Sequence, residues 1–193
     1  NVKLGSENMY YKESGAYTGE LSPDMIKSVG CEYAIIGHSE RREIFGEDDQ
    51  LLNLKLKTAF ANDIKPILCI GEKLEEREAE EHFARVKFQL EADLSGIDAE
   101  DAKDMVLAYE PLWAIGTGES ATPEQAEEMV KYIRDTVAEM YDQDTADAIR
   151  IQYGGSVKPW NVEEIMAQPN IDGALVGSAS LEAESFSKIV KFK

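Results

Sequence analysis

Basic residues are scarce in this sequence, and so are the residues that make cross-links and metal sites. Against 38 Asp and Glu stand 20 Lys and Arg, a net charge of −18, and a molecule of that sign repels a polyanion. Nucleic acid is therefore excluded as the main partner. An anionic small ligand would have to be met locally, by backbone N–H groups or by a few placed cations. There are two cysteines, Cys31 and Cys69, with no CxxC, no ligand-like spacing and no Cys/His cluster. That pattern predicts two buried thiols in a reducing cytoplasm rather than a disulfide framework or a metal site. No apolar run approaches the roughly 18 residues that a membrane span requires, so no membrane partner is expected. Neither a P-loop nor a GxGxxG fingerprint occurs, which argues against a nucleotide cofactor.

What is present points to one α/β domain over residues 1–193. Apolar runs rich in Val, Ile, Leu and Ala lie near 2–5, 33–36, 66–70, 106–109, 149–153 and 174–176. Each is continuous rather than alternating, which predicts strands buried on both faces. Charged segments of helical period separate most of them. Ser22-Pro23 predicts a helix start that Gly30 closes, and Thr122 with Gln125 predicts a capping box opening a helix to about Tyr141. Asn161 with Glu164 is a weaker version of the same box. Helices are further expected over 48–62, 75–94 and 182–190. The order is a six-fold βα array with a parallel sheet, either an open doubly wound sheet or a βα barrel.

In both architectures the ligand faces the carboxyl ends of the strands. Those ends carry His38, Ser39 and Glu40, then Gly71-Glu72, Glu110-Pro111, Gly154-Gly155-Ser156 and Gly177-Ser178. Alone, Glu110 better suits an acid that escapes to solvent or pairs with an arginine, and His38 a hydrogen-bonded structural residue. Together on one rim they suit proton transfer beside a carbonyl, one group taking the proton and the other polarising the oxygen. Three glycine turns accompany them, at Gly116 and Gly118, at 154–156, and at 177–178. Their N–H groups can hold an anion without a lysine, and the only basic residue that follows closely is Lys158. Tyr109, Trp113 and Trp160 read as packing residues, and the charge run at 75–81 as a solvated helix face.

The combination "GHSERREIFGE", "CIGE", "AYEPLWAIGTG", "YGGSV" and "DGALVGSASL" closely resembles the triosephosphate isomerases, in order and over nearly the whole chain. The resemblance implies a (β/α)8 TIM barrel that interconverts dihydroxyacetone phosphate and glyceraldehyde 3-phosphate in glycolysis and gluconeogenesis without a cofactor. It implies Glu110 as general base and neutral His38, at a helix start near Ser39, as the group polarising the carbonyl, a division of labour for which this family is the type example. Gly116, Ser156, Gly177 and Ser178 match phosphate-binding positions, Glu40 a supporting acid, and Cys69 a buried thiol beside the base. Residues 111–121 match a lid whose first hinge is Pro111-Leu112-Trp113. The loop around Thr18 matches one that reaches into a second subunit, so a homodimer is implied.

The resemblance has three departures. A complete barrel needs about 250 residues, so about six of eight β/α units are expected here, the first two being absent. With them would go the family's active-site lysine and asparagine, which no residue of this sequence matches. Such a chain could instead be a non-catalytic truncated barrel that associates through open sheet edges. Ser178 stands where a second glycine is usual, and Glu119 where a lysine is common.

Overall fold

A computed structural model describes residues 2–115 and 120–193. Among the described residues six parallel strands form one sheet in chain order: β1 (Leu4–Ser6), β2 (Cys31–Ile36), β3 (Lys65–Ile70), β4 (Val106–Tyr109), β5 (Arg150–Tyr153) and β6 (Gly173–Ala174). A doubly wound sheet reverses its strand order at a switch point, and this one never does. The six strands also curl. Laid flat at about 4.8 Å per strand, β1 and β6 would be about 24 Å apart. Yet Glu7 after β1 and Gly177 after β6 line one cleft with His38. The architecture is that of a (β/α) barrel with six strands in place.

Among the described residues ten helices accompany the strands: α1 (Pro23–Ser28), α2 (Ser39–Glu43), α3 (Asp49–Ala61), α4 (Leu74–Glu78), α5 (His82–Asp93), α6 (Ala99–Lys103), α7 (Pro123–Met140), α8 (Gln143–Ala148), α9 (Val162–Met166) and, after the last strand, α10 (Ala183–Val190). Short 3₁₀ turns lie at Leu112–Ala114 and Ser178–Ser180. Starts follow local chemistry. Ser22 Oγ accepts from Met25 N at 3.3 Å and Asp48 Oδ1 from Leu51 N at 2.8 Å. Thr122 and Gln125 make the expected reciprocal box, at 3.2 and 2.9 Å.

The register sorts the strand residues into two faces. One row, Ile36, Leu68, Leu107 and Ile151, packs under the helices with Leu52, Leu56, Leu90, Val130 and Ile133. Each such side chain removed from water is worth about 1.5–3 kcal/mol. The next row, Cys69, Ala108 and Gln152, faces the inside of the curl. Cys31 and Cys69 are free and buried, as their spacing predicts.

Five local expectations are corrected. The helix expected over 75–94 is two, α4 and α5, because Glu80 takes φ +59° and ends the first. β1 is exposed rather than buried on both faces, being an edge strand, and β6 has two residues. Asn161 caps nothing: its side chain turns back to the preceding loop. Trp160 is 79% exposed and is not a packing residue.

Candidate active site

Alternation along β4 brings Glu110 to the rim. Ala108 faces inward and Tyr109 faces the helices, so the next side chain points inward again, at the strand's end. The backbone is held from both sides, Glu110 N donating to Ile70 O at 2.8 Å and Gly154 N to Tyr109 O at 2.7 Å. This approach demands glycine at 71, where a Cβ would overlap the Glu110 carbonyl.

His38 reaches the same point by breaking the alternation. Ile36 faces the helices, and a regular strand would send His38 the same way. Gly37 takes φ +76° instead, in a space where a Cβ would press on Arg42, Leu52 and the Cys69 carbonyl. The chain turns, His38 becomes the N-cap of α2, and its Nδ1 accepts from Glu40 N at 3.3 Å. An Nδ1 that accepts carries no proton, so Nε2 is the donor. Nε2 lies 3.2 Å from Glu110 Oε1.

Glu110 is buried, and Oε2 accepts from Ser39 N at 3.0 Å while Oε1 lies 3.4 Å from Ser39 Oγ. Burial pushes its carboxyl above the ordinary range, with His38 and the two Ser39 donors pulling the other way. The Cys69 thiol lies beside it, raised well above its ordinary value by its own burial and then by the Glu110 charge. A buried carboxyl with a raised pKa against an imidazole N–H can take and return a proton at neutral pH.

Across the cleft, of about 550 Å³, stand the glycine turns at 154–156 and 177–178. Among the described residues the N–H groups of Ser156, Gly177 and Ser178 donate to no acceptor, which leaves three donors for an anion. Gly116, the fourth expected phosphate position, and Glu119 lie outside the described residues. Glu40 is exposed, and its carboxylate makes no ion pair or hydrogen bond among the described residues. Its placement beside His38 comes through its backbone. Among the described residues no group of three or more His, Cys, Asp or Glu is arranged to hold a metal ion.

Two groups of partners have no local signature. Arg42 donates from Nε to the Gly37 carbonyl at 2.8 Å and from one Nη to the Cys69 carbonyl at 2.9 Å and Asp93 at 2.7 Å, and pairs with Asp49 through the other. It ties the ends of β2 and β3 together. Glu72 Oε1 accepts from Tyr109 Oη at 2.9 Å, from Trp113 Nε1 at 2.8 Å and from Arg77 at 3.3 Å. That anchors Trp113, in the segment Pro111-Leu112-Trp113 expected to be a hinge, to the end of β3. "CIGE" contains this acid, but nothing in its neighbourhood announces partners 37 and 41 residues away.

A curled parallel sheet with an acid–base pair and anion-ready turns on its carboxyl rim defines a βα-barrel enzyme of the proton-transfer class. A family model described as triosephosphate isomerase matches residues 1–193. Curated proteins named triosephosphate isomerase from Finegoldia magna and Herpetosiphon aurantiacus are each 56% identical, and one from Lactobacillus acidophilus 54%. All three match the whole of this chain, which spans 77% of their length. The chain belongs to the triosephosphate isomerase family.

Proposed function

We propose that this chain interconverts dihydroxyacetone phosphate and glyceraldehyde 3-phosphate, with Glu110 moving the proton and His38 polarising the carbonyl. The observation that carries the assignment is the 3.2 Å approach of His38 Nε2 to Glu110 Oε1 at the edge of the anion-ready cleft. Glu110 takes the proton from the carbon next to the carbonyl, and the Nε2–H hydrogen-bonds the oxygen on which negative charge develops. The hydroxyl proton must then pass from one oxygen of the enediolate to the other, which His38 Nε2 can do by giving its proton to the charged oxygen and taking the hydroxyl proton, and Glu110 returns its own proton to the neighbouring carbon. No electron leaves the pair of carbons, so neither oxidant nor cofactor enters the balance.

The phosphate is held by the N–H groups of Ser156, Gly177 and Ser178, joined by Gly116 from the lid. Cys69 supports the base from behind, and Glu40 supports His38 through its N–H. The reading places the chain in cytoplasmic glycolysis and gluconeogenesis. Among the described residues no helix is long and apolar enough to cross a membrane. A homodimer through the loop around Thr18 belongs to the same reading. Thr18 is exposed, Tyr10 N closes the loop on Leu21 O at 2.9 Å, and Tyr10 packs its ring on Tyr11 and Tyr17, a surface suited to a second copy.

The test is turnover of the full-length protein in deuterium oxide. Wild type is expected to place solvent deuterium on the carbon that receives the proton. Glu110→Gln is expected to lower kcat by about a thousandfold and His38→Gln by about a hundredfold. Turnover retained in Glu110→Gln rejects the assignment.

A further inference from the structure

Among the described residues the cleft contains one Lys or Arg, Lys158, for which proton transfer has no use. Lys158 Nζ lies 3.4 Å from Ser178 Oγ, so a side chain from the loop after β5 meets one from the turn after β6. Lys158 is half-buried and its backbone is fixed. Its N–H donates to Asn161 Oδ1 at 2.8 Å, its carbonyl accepts from Asn161 N and Val162 N, and Asn161 Nδ2 donates to the Ser156 carbonyl at 2.9 Å. The same asparagine therefore sets the positions of Ser156 and Lys158.

Charge makes the placement informative. In a chain with 38 acids and 20 basic residues, eight lysines pair with a carboxylate, among them Lys3, Lys55, Lys65, Lys73 and Lys87, whereas Lys158, like Lys12, Lys27, Lys57, Lys191 and Lys193, pairs with none among the described residues, and of these six it is the one that lines the cleft. Among the described residues no carboxylate lies within 4.0 Å of Lys158 Nζ, and it is the only Lys or Arg among those lining the cleft. The acids there, Glu7 and Glu110, repel a phosphate dianion. Ser178 Oγ accepts one of the three ammonium hydrogens, which leaves two for an anion beside the N–H groups of Ser156, Gly177 and Ser178.

We propose that Lys158, oriented by Ser178, is a specificity-determining residue that binds the phosphate of the substrate and favours phosphorylated over unphosphorylated trioses. The proposal rests on the proposed isomerase reading for the identity of the substrate, but its phosphate site can be tested without turnover.

The experiment uses full-length wild type, Lys158→Met, Lys158→Gln, Lys158→Arg and Ser178→Ala, with thermal unfolding as a check on folding. Inorganic phosphate is titrated calorimetrically, and kcat/KM is measured for glyceraldehyde 3-phosphate and for glyceraldehyde. The neutral variants are expected to bind phosphate about tenfold more weakly and to lose about tenfold in the ratio of the two kcat/KM values, chiefly through KM. Lys158→Arg should recover most of the loss, and Ser178→Ala should show a loss of about threefold. Unchanged phosphate affinity in both neutral variants overturns the proposal. So does a Lys158→Arg as weak as Lys158→Met, because the effect would then not be recognition by charge. A wild type that binds phosphate but turns over neither triose rejects the isomerase reading alone, and the phosphate titration still decides the role of Lys158.

Discussion

At the ends of β2 and β3 the rim is held by buried side chains, with Arg42 bonding to the Gly37 and Cys69 carbonyls and to two carboxylates. At the ends of β5 and β6 it is held by backbone turns, by Asn161 and by a two-residue strand, with Gly177 and Ser178 exposed. The first region carries the proposed acid–base pair, whose atoms would have to be placed to a few tenths of an ångström. The second is the proposed phosphate site, and backbone N–H groups can hold an anion in more than one geometry. Buried side-chain hydrogen bonds are concentrated beside the proposed acid–base pair.

Breaking the first region should therefore cost most. Arg42→Met leaves Asp93, whose side chain is fully buried, without its cation, and deprives two strand-end carbonyls of their donor. A loss of about 3 kcal/mol or more in denaturant unfolding of the full-length protein is expected. kcat should fall with it, because His38 follows Gly37 directly. Adding Asp93→Leu to Arg42→Met should recover stability and leave kcat low, which separates the charge balance from the positioning of the strand ends.

The same pair has a pH signature. Burial raises the Asp93 carboxyl to about 7 from an ordinary 3.8, with Arg42 pulling it down. Between those values the folded protein keeps a proton that the unfolded chain has released. Stability contributed at this site therefore falls as pH rises from about 4 to 7 and levels off beyond. Asp93→Asn should remove that slope, read as the unfolding midpoint against pH, while the wild type retains it.

The legibility of the two regions differed for a physical reason. Strand and helix periods and the Ser22 and Thr122 caps are local patterns, so the βα order could be read from the chain. A parallel βα order then puts all strand ends on one side, which was enough to group His38 with Glu110. Ser39 holding Glu110, Arg42 bridging two strands and Glu72 collecting Tyr109, Trp113 and Arg77 were not legible. Each is a choice of polar partner made by tertiary packing between distant parts of the chain. The break at Glu80 failed for the opposite reason, since a left-handed residue that is not glycine leaves no compositional mark.

The smallest expected effect comes from Asn161, where the sequence pattern and the structure disagree. As an N-cap, Asn161 would be replaceable by Asp, an equally good cap. In the structure its amide makes two different bonds, accepting from Lys158 N and donating to the Ser156 carbonyl. Asp can keep the first and must lose the second, while setting a negative charge beside the turn proposed to bind phosphate. Asn161→Asp is therefore expected to destabilise the full-length protein by about 1 kcal/mol, and to raise KM for glyceraldehyde 3-phosphate more than Asn161→Ala does. Unfolding midpoints and steady-state kinetics on the two variants decide it. If Asp matches wild type in both, Asn161 is a cap after all, and the β5 and β6 rim is held by its turns alone.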